Sequence, residues 1–381
     1  MNMWTVAAIW MALAAVSAVI AIRIKMPAAL AEIIIGMLAG NLIALRTNAW
    51  IDFVAGFGAI LFTFLAGAEI DPAVLRKQLV PSTVLGAASF LAPFLAAMGF
   101  ALFLAHWPAN AAKIAGLAMS TTSVAVVYAV MVESGLASRE FGQLILAACF
   151  FTDLGTVAAL GLLFANYNVW LALLGVGIVV AMVAVPKVLP IVVERTRRYV
   201  SEPGLRILFA IIFVLAALAT YAKSEGVLPA YFLGIACAGF MFTYPDIKRR
   251  LQTMTMTLLA PFYFIKAGTY ISFAAAAGSV WLIVALFFVK VVAKIAAILP
   301  IARYAFKYSK NDASYLTLMM ATGLTFGTIS SLYGLTHHYI TQAQYTTLVT
   351  VVILTAIIPT LVAQALFKPA EEPEEMEAEV P

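Results

Sequence analysis

AMSTTSVAVV, residues 118–127, sets four hydroxyl side chains in a row, Ser120 to Ser123, in the middle of an otherwise apolar run. Further along, ATGLTFGTISS at residues 321–331 repeats the pattern with threonines, serines and two glycines, Gly323 and Gly327. A helix that only faces lipid has no need of such stretches. Either they let helices approach closely through small residues, or they let a helix unwind in mid-membrane, so that backbone carbonyls and half-helix ends point at an ion. The choice between these depends on where the two stretches fall among the other helices.

The surroundings are those of a membrane protein. Of 381 residues, 64% are hydrophobic and 11% charged, and the mean hydropathy is +1.02. Soluble domains run at about 45–50% apolar and about 25% charged, so the solvent for most of this chain is lipid. The formal charge of +5 does not point to nucleic acid, because the basic residues sit in short loops between apolar runs. Cut at about 20 apolar residues per crossing, the chain gives thirteen runs: 3–22, 27–45, 51–70, 80–105, 112–134, 142–165, 168–192, 205–222, 227–244, 254–272, 275–302, 315–334 and 343–367. The first lacks a basic leader and reads as a membrane helix, not a cleaved signal. With the N-terminus outside, inside loops hold 15 Lys and Arg and outside loops hold 3, Arg46, Lys113 and Lys223. That bias supports both the count and the orientation, and puts the C-terminus in the cytoplasm of a multi-pass inner-membrane protein. The tail, 368–381, is acidic and Pro-bearing and is expected to be disordered; no soluble regulatory module is expected after residue 367.

Charged groups inside membrane helices cost about 2.5–3.5 kcal/mol each on insertion scales, so each needs a reason. Asp153, in CFFTDLGTV (149–157), lies mid-helix with no cation within a turn. It either serves a function or ties two helices together by pairing with a lysine. Lys290 and Lys294 are four apart and share one face of the eleventh run. Two stacked ammonium groups repel unless one meets a carboxylate or a water-filled cavity, and pairing with Asp153 is the economical solution; the alternative reading is that Lys290 or Lys294 reaches the cytoplasmic headgroups. Lys266 either lines a cavity or snorkels outward. Glu69, Asp71 and Glu133 sit at helix ends and read as interfacial, and Glu32 as structural. Cys149 and Cys237 both lie in apolar runs, and His106, His337 and His338 in loops, so neither a disulfide nor a metal cluster is expected.

Placement decides how the two hydroxyl-rich stretches are read. Run five precedes the Asp153 run, and run twelve follows the Lys294 run. Runs four to six begin inside and runs eleven to thirteen begin outside. Two three-helix units of opposite orientation, each with an interrupted middle helix, describe an inverted-repeat transporter core.

These segments, taken in order, resemble the monovalent cation:proton antiporter superfamily, in the branch of Kef-type potassium systems and NapA-like sodium/proton antiporters. PAALAEIIIGMLAGN (27–41) is similar to its first core helix, GAILFTFLAGAEID (58–71) to its LLLFLVGLEID-type segment, and LLAPFYFIKAG (258–268) to its APIFFxxVG segment. TTSVAVVYAVMVESGLASREFGQLILAACFFTDLG (121–155) resembles the broken helix, loop and acidic helix of the ion site. The resemblance implies an all-α, NhaA-like inverted-repeat fold with two broken helices crossing in the core. It further implies a homodimer, with a dimerisation part at about 1–79 and 205–272, a moving core at about 80–165 and 275–367, and a linker helix at about 168–192. The essential carboxylate falls on Asp153, its lysine partner on Lys294, and the broken-helix ligands on Thr122 and Ser123. This chain departs from the pattern: electroneutral relatives usually carry Asn before the acid and Arg in place of the lysine, where this chain has Thr152 and Lys294. Thr152 stands where charge-moving relatives have a first aspartate, and Thr325 where a glutamate is expected in the second broken helix.

The function expected is exchange of Na⁺ or K⁺ for H⁺ around Asp153, electroneutral because one carboxylate is present, with Thr152, Thr122 and Ser123 near the ion and Lys290, Lys266 and Thr325 lining the cavity. Two alternatives stand beside it: a sodium-coupled organic-anion symporter of similar fold, and a membrane sensor without flux. No enzyme and no cofactor are expected, since there is no second mid-membrane carboxylate and no histidine cluster.

Overall fold

A computed structural model of the chain describes residues 2–24, 26–69, 77–136, 139–164, 168–196, 202–222 and 226–369. The structure is all-helical, and no strand occurs among the described residues. In chain order the helices are α1 (Met3–Ile24), α2 (Ala28–Leu42), α3 (Ala49–Ala68), α4 (Leu79–Leu104), α5 (Ala109–Ser120), α6 (Val124–Glu133), α7 (Glu140–Leu163), α8 (Val169–Thr196), α9 (Pro203–Tyr221), α10 (Val227–Thr243), α11 (Pro245–Met254), α12 (Ala260–Thr269), α13 (Phe273–Gly278), α14 (Val280–Ala305), α15 (Lys310–Met320), α16 (Thr325–Thr336) and α17 (Gln342–Leu366). Among the described residues, nine spans are long and apolar enough to cross a membrane, with α15 and α16 together making one of them. α2 and α10 are shorter apolar helices. Each of the thirteen apolar runs falls on one of these helices or on a consecutive pair. Lys25, Asp71, Arg76, Arg197, Arg198, Lys223 and the acidic tail from residue 370 lie outside the described residues, as does the side chain of Glu133.

Both runs singled out by their hydroxyls are interrupted. α5 and α6 are separated by Thr121–Ser123, and α15 and α16 by residues 321–324. The interruptions belong to a repeat visible in the backbone. α4 and α14 each end in a widened turn, Phe100–Leu104 and Ile301–Ala305. In each, the next amide closes the turn, Ala105 N to Phe100 O at 3.0 Å and Phe306 N to Ile301 O at 3.1 Å. A left-handed residue follows in both, His106 with φ 54° and Lys307 with φ 58°. Each chain then bonds back, Trp107 N to Ala101 O at 2.8 Å and Tyr308 N to Ala302 O at 3.1 Å. The units α4–α7 and α14–α17 are thus built alike, turn for turn.

The repeat extends beyond these units. α2 crosses α12 where Gly36 lies on the Ile265 carbonyl and Gly268 on the Ile33 carbonyl. α10 crosses α3 in the corresponding way, Gly234 on the Phe64 carbonyl and Gly67 on the Tyr231 carbonyl. A Cβ at any of the four glycines would overlap backbone, so both crossings require glycine. α8, with α9 and α10, packs on the α3 side through Val185, Leu189, Leu208 and Leu233. Both cysteines are buried and free.

Candidate functional site

The two interruptions meet. Ser123 N donates to Thr322 O at 3.2 Å, and Thr122 Oγ1 donates to Met320 O at 2.8 Å. Thr121 lies against both Gly323 and Gly327. Four half-helices therefore end at one point. The last carbonyls of α5 and α15 bring partial negative charge, and the first amides of α6 and α16 partial positive charge. Unpaired backbone groups are costly in hydrocarbon, and here several are met: Thr322 O by Ser123 N, Met320 O by Thr122 Oγ1 and Thr121 O by Lys294.

Asp153, mid-α7, is 2% exposed and lies close enough to Lys294 of this crossing for the two charges to interact. Its Oδ1 accepts no hydrogen bond. The direct pairing with lysine expected from the sequence is not made: the ion pairs among the described residues are Lys77–Glu140, Arg250–Glu202 and Lys266–Asp52. The reason is that the Lys294 ammonium is already fully engaged. It donates to Ser89 Oγ at 2.8 Å, to Thr122 Oγ1 at 2.8 Å and to Thr121 O at 3.4 Å, which uses all three of its N–H groups. It thus sits at the negative end of α5. Lys290, also fully buried, donates to Thr355 Oγ1 at 3.2 Å and lies against Gly323, just past the negative end of α15. The headgroup reading of Lys290 or Lys294 is excluded by this burial. Each C-terminal half-helix end is thus faced by one lysine of α14.

The other residues named from the sequence fall as follows. Thr122 is shared: its oxygen receives Lys294 while its proton goes to Met320 O. Ser123 is buried at the start of α6. Thr152 is buried, but its hydroxyl is bound to Ala148 O of its own helix at 3.0 Å. Thr325 is buried as the first residue of α16. Lys266 is away from the crossing, where its Nζ meets Asp52 Oδ1 at 2.6 Å. Glu32 is buried in α2, and Glu69 is exposed at the end of α3, accepting from Gln252 Nε2 at 3.2 Å.

The sequence reading missed four contributors: Ser89, Thr355, Asp52 and Tyr231. Serine and threonine are common in membrane helices, where they usually bond their own backbone, so neither Ser89 nor Thr355 stood out. Tyr231 reaches from α10 and donates to Phe150 O at 3.3 Å. Its ring stacks on Phe150 at 5.8 Å and meets Phe326 edge-on at 5.8 Å. Beyond this aromatic group lies a cavity of about 690 Å³. Its walls include Ala55 and Ala59 of α3, Leu160 of α7, Val227 of α10, Tyr263 and Lys266 of α12, and Ile329 and His337 of α16 and its end. Leu160 lies two turns along α7 from Asp153, on the same face.

A chain with two crossed, interrupted helices beside a buried carboxylate can be compared directly with known transporters. Residues 11–368 match the family described as sodium/hydrogen exchanger, transmembrane. The chain belongs to that family. Among its relatives, the Na⁺/H⁺-K⁺ antiporter GerN of Bacillus cereus is 22% identical, with 89% of each chain covered. The Na⁺/H⁺ antiporter of Enterococcus hirae is 23% identical, covering 91% of this chain and 93% of the relative. Other relatives are longer: the chain spans 61% of YjbQ of Bacillus subtilis, at 23% identity over 93% of its own length. In architecture the exchanger chain is similar to the sodium proton antiporter MjNhaP1 of Methanocaldococcus jannaschii at pH 8, with a TM-score of 0.67 and 17% identity over 94% of this chain and 95% of that one.

Proposed function

We propose that this exchanger-family chain is a secondary antiporter that trades Na⁺ or K⁺ for H⁺ at Asp153 by alternating access. The observation that carries the reading is Asp153 itself, a buried carboxylate with an unengaged oxygen at the crossing of two interrupted helices. A carboxylate in that position can hold a proton or a dehydrated monovalent cation, but not both. Loop carbonyls and hydroxyls at the break, those of Thr122 and Ser123 first, replace part of the lost water shell. Lys294 opposes the cation in a specific way. While its ammonium holds Thr122 Oγ1, that oxygen is not free for an ion. Loading the site therefore requires Lys294 to move, and unloading lets it return.

In this reading, α4–α7 and α14–α17 form the moving core, and α1–α3 with α9–α12 form the dimerisation part, joined by α8. Two such chains make a homodimer in the inner membrane, with the N-terminus outside and the cavity bounded by Lys266 and His337 facing outward. The Tyr231–Phe150–Phe326 group would then close Asp153 from that cavity. Exchange is one for one and electroneutral, and needs no cofactor. The test is a pH-dye assay in liposomes, with Na⁺, K⁺ and Li⁺ added in turn. A cation-dependent proton flux that disappears in Asp153→Asn, with the variant still folded, is the expected result; unchanged flux in that variant would overturn the reading.

A further inference from the structure

The cavity beneath the loop ends of α9, α10 and α16 carries chemistry that the crossing does not use. Among the described residues its wall includes one ammonium, Lys266, and one imidazole, His337, and no carboxylate. That is an odd lining for a vestibule through which a cation would reach Asp153, since a low-dielectric cleft focuses the field of its charges and depletes ions of the same sign. The structure supplies the counter-charge just outside the wall. Asp52, in the first turn of α3, meets the Lys266 ammonium at 2.6 Å, with the lysine 11% and the aspartate 45% exposed in their side chains. The pair thus has a dry end on the lysine and a wet end on the aspartate. Lys266 is held firmly in place, because α12 is locked to α2 through Gly36 and Gly268, whereas Asp52 stands at a helix start where its carboxylate also faces the positive end of α3.

We infer that the Asp52–Lys266 pair sets the cation affinity seen from the cavity side, with Asp52 drawing cations in and Lys266 acting as its tethered counter-ion. Neither residue touches Asp153. They act on the ion before it binds, so their influence belongs in KM and not in the maximal rate. The inference rests on the antiporter reading and adds to it a determinant on the opposite part of the molecule from the crossing.

Removal of the two charges has opposite signs. Lys266→Met leaves the Asp52 carboxylate uncompensated in the cleft, and the KM for Na⁺ should fall by about three- to tenfold. Asp52→Asn leaves the ammonium uncompensated, and KM should rise by about the same factor. The double variant should return to within about twofold of the unmodified chain, since only the pair's mutual compensation has been lost. In each case the maximal rate should change by less than about twofold. A second signature comes from salt. Raising ionic strength with an impermeant organic cation shortens the screening length towards about 3 Å and should bring both single variants back towards the unmodified KM. Loss of structure would not respond to salt in this way. Thermal melting of each variant, with Lys266→Arg as a charge-retaining control, identifies any that fail to fold.

The experiment is initial-rate proton flux in liposomes across a Na⁺ series, with cation added on the cavity side. Absence of Na⁺-, K⁺- and Li⁺-dependent flux in the unmodified chain would overturn the antiporter reading and this inference together. Flux in the unmodified chain, with both single variants shifting KM in the same direction, or neither shifting it, would overturn this inference alone.

Discussion

The two broken-helix units share a backbone and differ in charge. The same register that aligns Phe100–Leu104 with Ile301–Ala305 and His106 with Lys307 places Ser89 of α4 opposite Lys290 of α14; counted from the helix starts, Glu140 and Gln342, Asp153 of α7 matches Thr355 of α17. In the first unit the mid-membrane acid has an oxygen without a hydrogen bond. In the second, the equivalent position is a neutral hydroxyl that accepts the Lys290 ammonium. The first break, Thr121–Ser123, offers three hydroxyls, whereas the second passes through Gly323 against a lysine. On the proposed reading, one half of the repeat receives the cation, and the corresponding place in the other half already holds an ammonium on a tether. Backbone symmetry is cheap to keep, because each crossing depends on the same turns and glycine contacts. Charge symmetry is not, since every further ion in the membrane costs about 2.5–3.5 kcal/mol.

The largest effect expected from this asymmetry is at Asp153. Asp153→Asn should reduce cation-dependent proton flux to that of empty liposomes, with folding retained, because asparagine fills the same space without a titratable oxygen. Thr355→Val, at the mirror position, should leave exchange running. If the two variants are equally inactive, the halves do not divide the labour as described.

Next comes the pair of lysines. Lys294→Ala removes an ammonium with three acceptors, and the loss of those bonds outweighs the relief of unburying a charge, giving a destabilisation of about 2 kcal/mol. Lys290→Ala removes a single bond to Thr355 and should cost less than half of that. If, as proposed, the ion must displace Lys294 from Thr122, Lys294→Ala should also narrow the gap between melting temperatures with and without Na⁺. Scanning fluorimetry of the purified variants checks both points. If Lys290→Ala narrows that gap and Lys294→Ala does not, the ion competes with the mirror half instead.

How much of this could be read in the sequence follows from what makes a residue conspicuous. Asp153, Lys290 and Lys294 stand out because a charge in an apolar helix is costly and visible at once. The interrupted helices stand out through four consecutive hydroxyls and two glycines. The helical architecture follows from apolar run lengths, and every run lies on a helix or a consecutive pair. What could not be read is the third dimension. Lys294 was expected on Asp153 because opposite charges attract, yet three neutral oxygens from α4 and the first break, far apart in the chain, satisfy it. Asp52 lies at the start of a helix, where acids are ordinary, and only the distance to Lys266 gives it meaning. Ser89 and Thr355 become notable only once the two units are superposed in register.

A smaller effect is expected at Thr355. Thr355→Val leaves the Lys290 ammonium buried without its acceptor, a cost of about 1 kcal/mol, while Thr355→Ser keeps the hydroxyl and should restore most of it. Melting temperatures of the two variants separate the hydrogen bond from the packing of the extra methyl. A loss shared equally by valine and serine would assign the effect to shape, and the tethered ammonium would then contribute little to the second unit.

The smallest effect is one that should be absent. If only one half carries an acid, the crossing moves either one proton or one monovalent cation on Asp153, and the loaded core bears the same charge in both directions. Thr152, next to it, cannot supply a second proton, since its hydroxyl does not titrate in the accessible range and is bound to Ala148 O. Thr355, in the mirror place, cannot either. The antiport rate with Na⁺ should therefore be the same at zero potential as at a negative potential imposed by a potassium–valinomycin gradient. The lysines are where this could fail. An arginine would keep its proton under any displacement, but a lysine can release it, and the ion can load only if Lys294 leaves Thr122. A rate that shifts steadily with potential, accompanied by a current on a solid-supported membrane, would mean that a lysine proton travels with each cycle. The Lys294→Ala and Lys290→Ala variants would then show which one, because the current should vanish in the variant lacking the carrier and persist in the other.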